Sequence, residues 1–172
     1  GDLEPLMAEF PVWVSDVNRL EDALAMIRSA GIMTGTGEQA EKLTAAIAAG
    51  FAQLSREPVV PRRAAYFIWR KPWMAAGKDT FIDDMLSRAG LTNCFGHLRR
   101  YPEVDPAAAR DAVMLLSTEP YPFREKHAVE LGKLVPGCKT CLVDGEMFSW
   151  YGSRLLEAPA YFRQLRERLR EP

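Results

Sequence analysis

Two periods of apolar residues run along this chain, and the switches between them mark its elements. Val12–Val14, directly after Pro11, reads as a short strand. Asn18 then stands as a helix cap, with Glu21 at the third helical position. Leu20, Leu24 and Ile27 make one apolar stripe, and Gly31 is placed to end that helix. Thr34–Gly37 reads as a turn. From Glu38 to Ser55 the apolar positions Leu43, Ile47, Phe51 and Leu54 recur at helical spacing. At ~1.5 Å per residue that helix spans roughly 27 Å, a length that suits a strut better than a tight crossover.

Glu57–Arg63 is a proline-bearing linker and the expected boundary between residues 1–57 and 58–172. After it, strands and helices alternate. Ala64–Trp69 is a short aromatic-rich apolar run and leads to a helix over Thr80–Ala89. In that helix Phe81, Ile82, Met85 and Leu86 share a face, and Thr80 with Asp83 approximates a capping box. Strand Ala112–Leu116 leads to helix Phe123–Leu134, and strand Thr140–Val143 to a helical stretch over Gly152–Leu169 that Pro159 should interrupt. Apolar strands alternating with helices predict an α/β fold: a mostly parallel, Rossmann-like sheet covered on both faces, preceded by a long helix.

In such a sheet the loops after the strands gather at one edge, where open α/β sheets take their ligands. Here those loops are Arg70–Gly77, Ser117–Pro122 and Asp144–Tyr151. The first carries Trp73 and Met74, with Arg70, Lys71 and Lys78 nearby. The last carries Trp150 and Tyr151 after Phe148, and adjacent aromatics are hard to bury together in one core face. A fourth segment, His97–Pro106, adds Arg99, Arg100 and Tyr101. Aromatic faces beside cations suit a ligand that is flat, acidic or both.

Composition narrows the function classes. The chain has 172 residues, 48% of them hydrophobic and 26% charged, in the range of a globular domain. Its net charge of −1 gives no global field toward nucleic acid or a membrane surface. The basic segment Arg163–Arg170 alternates with apolar residues as a solvated helix face does. No apolar run approaches the ~20 residues of a membrane span. Gly1–Pro11 is acidic and lacks the basic flank of a signal peptide. Cys138 and Cys141 form a CxxC, but in a strand residues three apart lie roughly 10 Å from each other, beyond disulfide reach. No second CxxC or histidine pair completes a zinc set, since His97 and His127 are isolated.

An enzyme finds little support. Asp83 and Asp84 are paired on a helix without a supporting histidine or cysteine. Asp144 follows a strand, yet the G-T-G within Gly31–Glu38 joins two helices and no GxSxG elbow is present. A Rossmann-like enzyme and an interaction lobe without a small ligand stand as the alternatives to a ligand-binding protein.

Three blocks carry a family resemblance: LEDALAMIRSAGIMTGTGEQAEKL at Leu20–Leu43, AYFIWRKPWMAAGKDTFIDDML at Ala65–Leu86 and LVDGEMFSWYGSR at Leu142–Arg154. In that order they resemble the cobalamin- and ferric-siderophore-binding proteins of ABC importers, the helical-backbone metal-receptor type. The resemblance implies a substrate-binding component that holds a metal chelate between two lobes without turnover. Ferric siderophore, cobalamin and haem are the ligand classes it implies, with no cofactor and no resident metal. Residues 1–57 would correspond to the end of the first lobe and the long connecting helix, and 58–172 to the second lobe. The chain would then lack most of the first lobe, and any export signal would lie upstream. The resemblance further implies a periplasmic or lipid-anchored extracellular location and ABC permease subunits as partners. By carry-over, Tyr101, Glu146 and Trp150 would face the chelate, and Trp73 would join them on the exposed wall. The cobalamin branch has an acidic residue at the Glu146 position but an arginine where Trp150 stands. Transporter docking in the family uses an acidic residue from a short helix here reduced to Pro106–Arg110, which leaves Glu103 and Asp105 as the nearest acids. Isolated copies of a single wall are expected to pair through their exposed tryptophans.

Overall fold

The computed structural model describes residues 4–170. Helix α1 (Glu4–Glu9) leads into an irregular segment, and α2 (Leu20–Thr34) and α3 (Gly37–Ser55) follow as a packed pair on one side of a sheet. The sheet comprises β1 (Arg62–Trp69), β2 (Met74–Ala75), β3 (Leu91–Asn93), β4 (Val113–Ser117) and β5 (Lys139–Val143). Around it lie α4 (Phe81–Arg88), α5 (Glu125–Leu134), the one-turn α6 (Glu146–Ser149) and α7 (Ala158–Arg168). Strand order is β2-β1-β4-β5, with β3 also paired to β1. β3, β4 and β5 join in parallel, while β2 is a two-residue antiparallel addition. Among the described residues no helix is long and apolar enough to cross a membrane.

The strand sequences explain the two-sided core. Along β1, Ala64, Tyr66 and Ile68 face one side, where they pack with Leu115 and Val143 under α2, α3, α4 and α7. Ala65 and Phe67 face the other, with Met114, Leu116 and the α5 residue Leu131. The period of two that places them is a property of any strand, and burial on both faces is why the run contains no polar alternation. Cys141 packs on the first side and Cys138 on the second, and both are free thiols.

Several sequence expectations change. Val12–Val14 forms no strand: residues 11–18 belong to no helix or strand, and Trp13 and Val14 stay exposed. The N-cap of α2 is Arg19 rather than Asn18, and the third helical residue is Asp22 rather than Glu21. Asp22 Oδ2 accepts from the backbone N–H of Asn18 (3.1 Å) and Arg19 (2.9 Å), satisfying the donors that a helix start leaves orphaned. Gly31 does not end α2. A side chain there would run into Ala40, so the glycine lets α2 and α3 approach closely, and Gly35 (φ 69) ends the helix instead. Pro159 falls in the first turn of α7, where a proline costs no hydrogen bond, and a short 3₁₀ turn over Ser153–Leu156 precedes it. The short strand β2 and the turn α6 lie in segments read as loop, and β3 lies in a stretch to which the sequence pattern assigns no element.

Ion pairs tie the helices together. Asp84 Oδ2 accepts from the Leu20 amide (2.9 Å) and from Arg88 Nε (2.7 Å), and Arg88 Nη2 reaches Glu21 (2.8 Å), so α4 is fastened to the start of α2. Arg166 donates to the carbonyls of Arg88 (2.9 Å) and Ala89 (3.0 Å), closing the end of α4 from α7.

Candidate functional site

Because β1, β4 and β5 are parallel, Trp69, Ser117 and Val143 end together and the loops after them share one edge. These loops are fixed to one another by backbone bonds. Gly145 N–H donates to Thr118 Oγ1 (2.9 Å), and a Cβ on Gly145 would stand 2.5 Å from Ser117 Oγ and 2.8 Å from the Glu119 nitrogen. Only glycine permits that approach. Segment 97–104 is laced to the first loop: Lys78 N–H donates to the Leu98 carbonyl (2.7 Å), Arg100 N–H to the Lys78 carbonyl (2.8 Å) and Gly77 N–H to the Arg100 carbonyl (2.8 Å). Lys71, Asp79 and Arg100 hold φ values of 63°, 61° and 58° in these segments. Left-handed backbone at residues other than glycine costs energy and persists where surrounding bonds enforce it.

Each candidate residue has a distinct setting. Trp150 follows α6 and is 50% exposed; its Nε1 donates to Glu119 Oε2 at 2.7 Å, which fixes the indole across the two loops. Tyr101 is 40% exposed on segment 97–104, and burial of its remainder holds the hydroxyl above the usual tyrosine range against the pull of Arg100. Glu146 is half-buried and paired with Arg154 (2.5 Å), which also reaches Glu157 (3.0 Å). Trp73 is half-buried on the other side of the sheet, stacked on Phe123 (5.8 Å, 6° between planes) and edge-on to Phe67 (5.4 Å). The structure thus leaves Tyr101 and Trp150 open to solvent, ties Glu146 to a cation and packs Trp73 into the aromatic core of the second face.

Two further aromatics stand open. Tyr151, 41% exposed and edge-on to Phe81 (5.5 Å), lines a hollow of about 270 Å3 together with Tyr101 and Arg100. Beside it a larger hollow of about 660 Å3 is bounded by Lys78, Arg99, Arg100 and the carboxylates of Asp16, Asp79, Asp83 and Asp84. Trp69 closes β1, is 42% exposed, and meets Tyr121 edge-on at 5.4 Å. The sequence run suggests a buried Trp69, but the last side chain of a strand clears the layer that covers it. Nothing local in the sequence marks Glu119 or Arg154 as partners of Trp150 and Glu146, because those pairs form across loops. Chemically, the edge offers aromatic faces, cations and hydrogen-bonding groups.

No family model and no curated protein matches the sequence. Solved structures do match by shape. Over 97% of this chain and 69% of the other, it superposes on a possible iron-binding (periplasmic solute-binding) protein from Staphylococcus epidermidis, with TM-score 0.76 and 20% identity. The chain shares its fold with the matched part of that protein. The vitamin B12-binding protein BtuF of Vibrio cholerae matches over 99% of this chain and 71% of its own length (TM-score 0.73, 15% identity). The heme-binding protein RhuT of Roseiflexus matches over 88% and 65% (TM-score 0.68, 20% identity). At such identities the likeness shows the fold alone, an open and mostly parallel Rossmann-like sheet flanked by helices.

Proposed function

We propose that this chain is part of the substrate-binding component of an ABC importer and that its carboxyl sheet edge is one wall of a cleft for a metal chelate. In this reading residues 1–57 end a first lobe and connect it to the lobe formed by 58–172. The protein works outside the cytoplasmic membrane, hands its ligand to permease subunits, and performs no turnover. The observation that carries the proposal is the group of exposed rings, Tyr101, Trp150 and Tyr151, fixed by loop-to-loop bonds at the edge where α/β sheets bind ligands. Rigid aromatic faces bury a large apolar area at little entropic cost, and Lys78 and Arg100 beside them suit acidic groups on the chelate. Ferric siderophores, haem and cobalamin all present such surfaces.

Intrinsic tryptophan fluorescence, titrated with a ferric hydroxamate, a ferric catecholate, haemin and cyanocobalamin, tests it. Saturable quenching by one class, weakened in Trp150→Ala, is the expected result. Absence of saturable quenching by all four overturns the proposal.

A further inference from the structure

At the opposite end of the parallel core, the strand beginnings carry another chemistry. Arg62 and Arg63 open β1, Arg110 precedes β4 and Lys139 opens β5. The register sets Ala64 opposite Val113 and Val113 opposite Lys139, so the sheet brings these residues to one edge, where the consecutive Arg62 and Arg63 leave β1 on opposite faces. They line a single hollow of about 360 Å3, and Asp111 is the one carboxylate among its lining residues. Nothing stands within 4 Å of where a Gly137 Cβ would lie, which leaves that rim open.

The hollow carries an excess of positive charge. Arg70, Arg88, Arg154 and Arg163 are each matched by a carboxylate at 2.5–2.8 Å. Among the described residues, Arg62, Arg63, Arg110 and Lys139 have no ion pair. Four cations against one carboxylate in one concavity repel one another, and a multivalent anion relieves that repulsion. Arg63 from β1 and Arg110 from the turn before β4, whose Nε donates to the Ala107 carbonyl (3.2 Å), offer guanidinium N–H groups of the kind that phosphate oxygens take, with Lys139 on the same rim.

We infer that this amino-edge hollow binds a multivalent phosphate group, either a soluble diphosphate or the headgroup of an anionic phospholipid. The site lies across the sheet from the aromatic wall and does not depend on what that wall binds.

The probes are inorganic pyrophosphate, followed by calorimetry, and phosphatidylglycerol vesicles, followed by co-sedimentation with phosphatidylcholine vesicles as control. Saturable pyrophosphate binding is expected, weakened about tenfold or more in the double variant R63Q/R110Q, since charge-assisted bonds are lost. These side chains are exposed or half-exposed, so the variant should melt as the parent does. If it does not, Lys139→Gln alone gives the same reading with a smaller loss. Vesicle binding displaced by pyrophosphate assigns the headgroup. Pyrophosphate binding without vesicle binding assigns a soluble phosphate. No saturable binding of either probe, or binding unchanged in the variants, overturns the inference.

Discussion

Trp73 and Trp150 leave the same edge of the sheet and come to opposite ends. Trp73 directly precedes β2, whose pairing with β1 turns the indole toward Phe67 and Phe123. Trp150 directly follows the single turn of α6, which has no strand pairing, and it is held by one hydrogen bond to Glu119. The residue type is identical and the backbone anchor differs. A ring with ring partners contributes to folding; a half-exposed ring fixed through its polar atom keeps part of its surface open for a ligand.

The largest expected effect separates the two on stability. Trp73→Ala should lower the unfolding free energy by about 3 kcal/mol, the low end for emptying an aromatic position, because the site is half-buried. Trp150→Ala should change it by no more than about 0.5 kcal/mol. Urea unfolding of both variants measures this. Equal losses would erase the distinction between a packed and an available tryptophan.

Ligand affinity should reverse the order. Trp150→Ala should weaken chelate binding by ~1–3 kcal/mol, the range for an aromatic anchor, while Trp73→Ala leaves any bound chelate without a lost contact. Trp150→Phe keeps a ring and loses only the bond to Glu119, so it should fall between the parent and Trp150→Ala. Unchanged affinity in Trp150→Ala would remove this residue from the site.

Beneath the edge, Tyr66 is fully buried and its hydroxyl lies 2.8 Å from Ser117 Oγ. Burial moves its ionisation well above the usual tyrosine range, so it serves as a neutral partner. Ser117 Oγ also donates to the Glu119 carbonyl (2.6 Å) and accepts from the Glu119 amide (3.2 Å), which shapes the loop holding the Trp150 partner. Tyr66→Phe should cost about 1 kcal/mol, since Ser117 keeps its other bonds. A loss several times larger, seen in thermal unfolding, would mean that the hydroxyl organises the whole edge.

Much of the fold was legible because it rests on periodicity and punctuation. The apolar runs of β1, β4 and β5, the Thr80 cap (3.2 Å to the Asp83 amide) and the long α3 all follow from local sequence. The parallel order followed from alternation alone. What stayed hidden depends on distant partners. Gly31 looks like a terminator until Ala40 is seen against it. β2 and β3 are too short to carry a period, and only pairing with β1 makes them strands. At the edge, the loops and their aromatics could be named from the sequence, but not which rings would be covered. Exposure of Trp69 and burial of one face of Trp73 depend on Tyr121 and Phe123, about fifty residues further along the chain.

The smallest effect probes the packed side of the comparison through pH. His127 is 4% exposed and edge-on to Tyr121 and Phe123, within the aromatic group that holds Trp73. Its Nδ1 accepts the Arg124 amide at 2.9 Å, so the neutral ring carries its proton on Nε2, 3.4 Å from the Tyr121 hydroxyl. Burial pushes its pKa down, the charges of Arg70, Lys126 and Arg124 add to this, and Glu130 opposes. A depressed folded pKa means that the unfolded chain takes the proton first as pH falls. The stabilisation is therefore present above the ordinary histidine value of about 6.5 and is lost as pH falls through the lower, folded value. His127→Asn retains an acceptor for the Arg124 amide and cannot titrate. The stability difference between parent and variant should shrink from pH 7.5 to about pH 5, measured by urea unfolding at each pH so that carboxylate effects common to both cancel. A difference that stays flat over that interval would show that the ring is not held neutral, and that the packed aromatic group tolerates charge as the exposed one does.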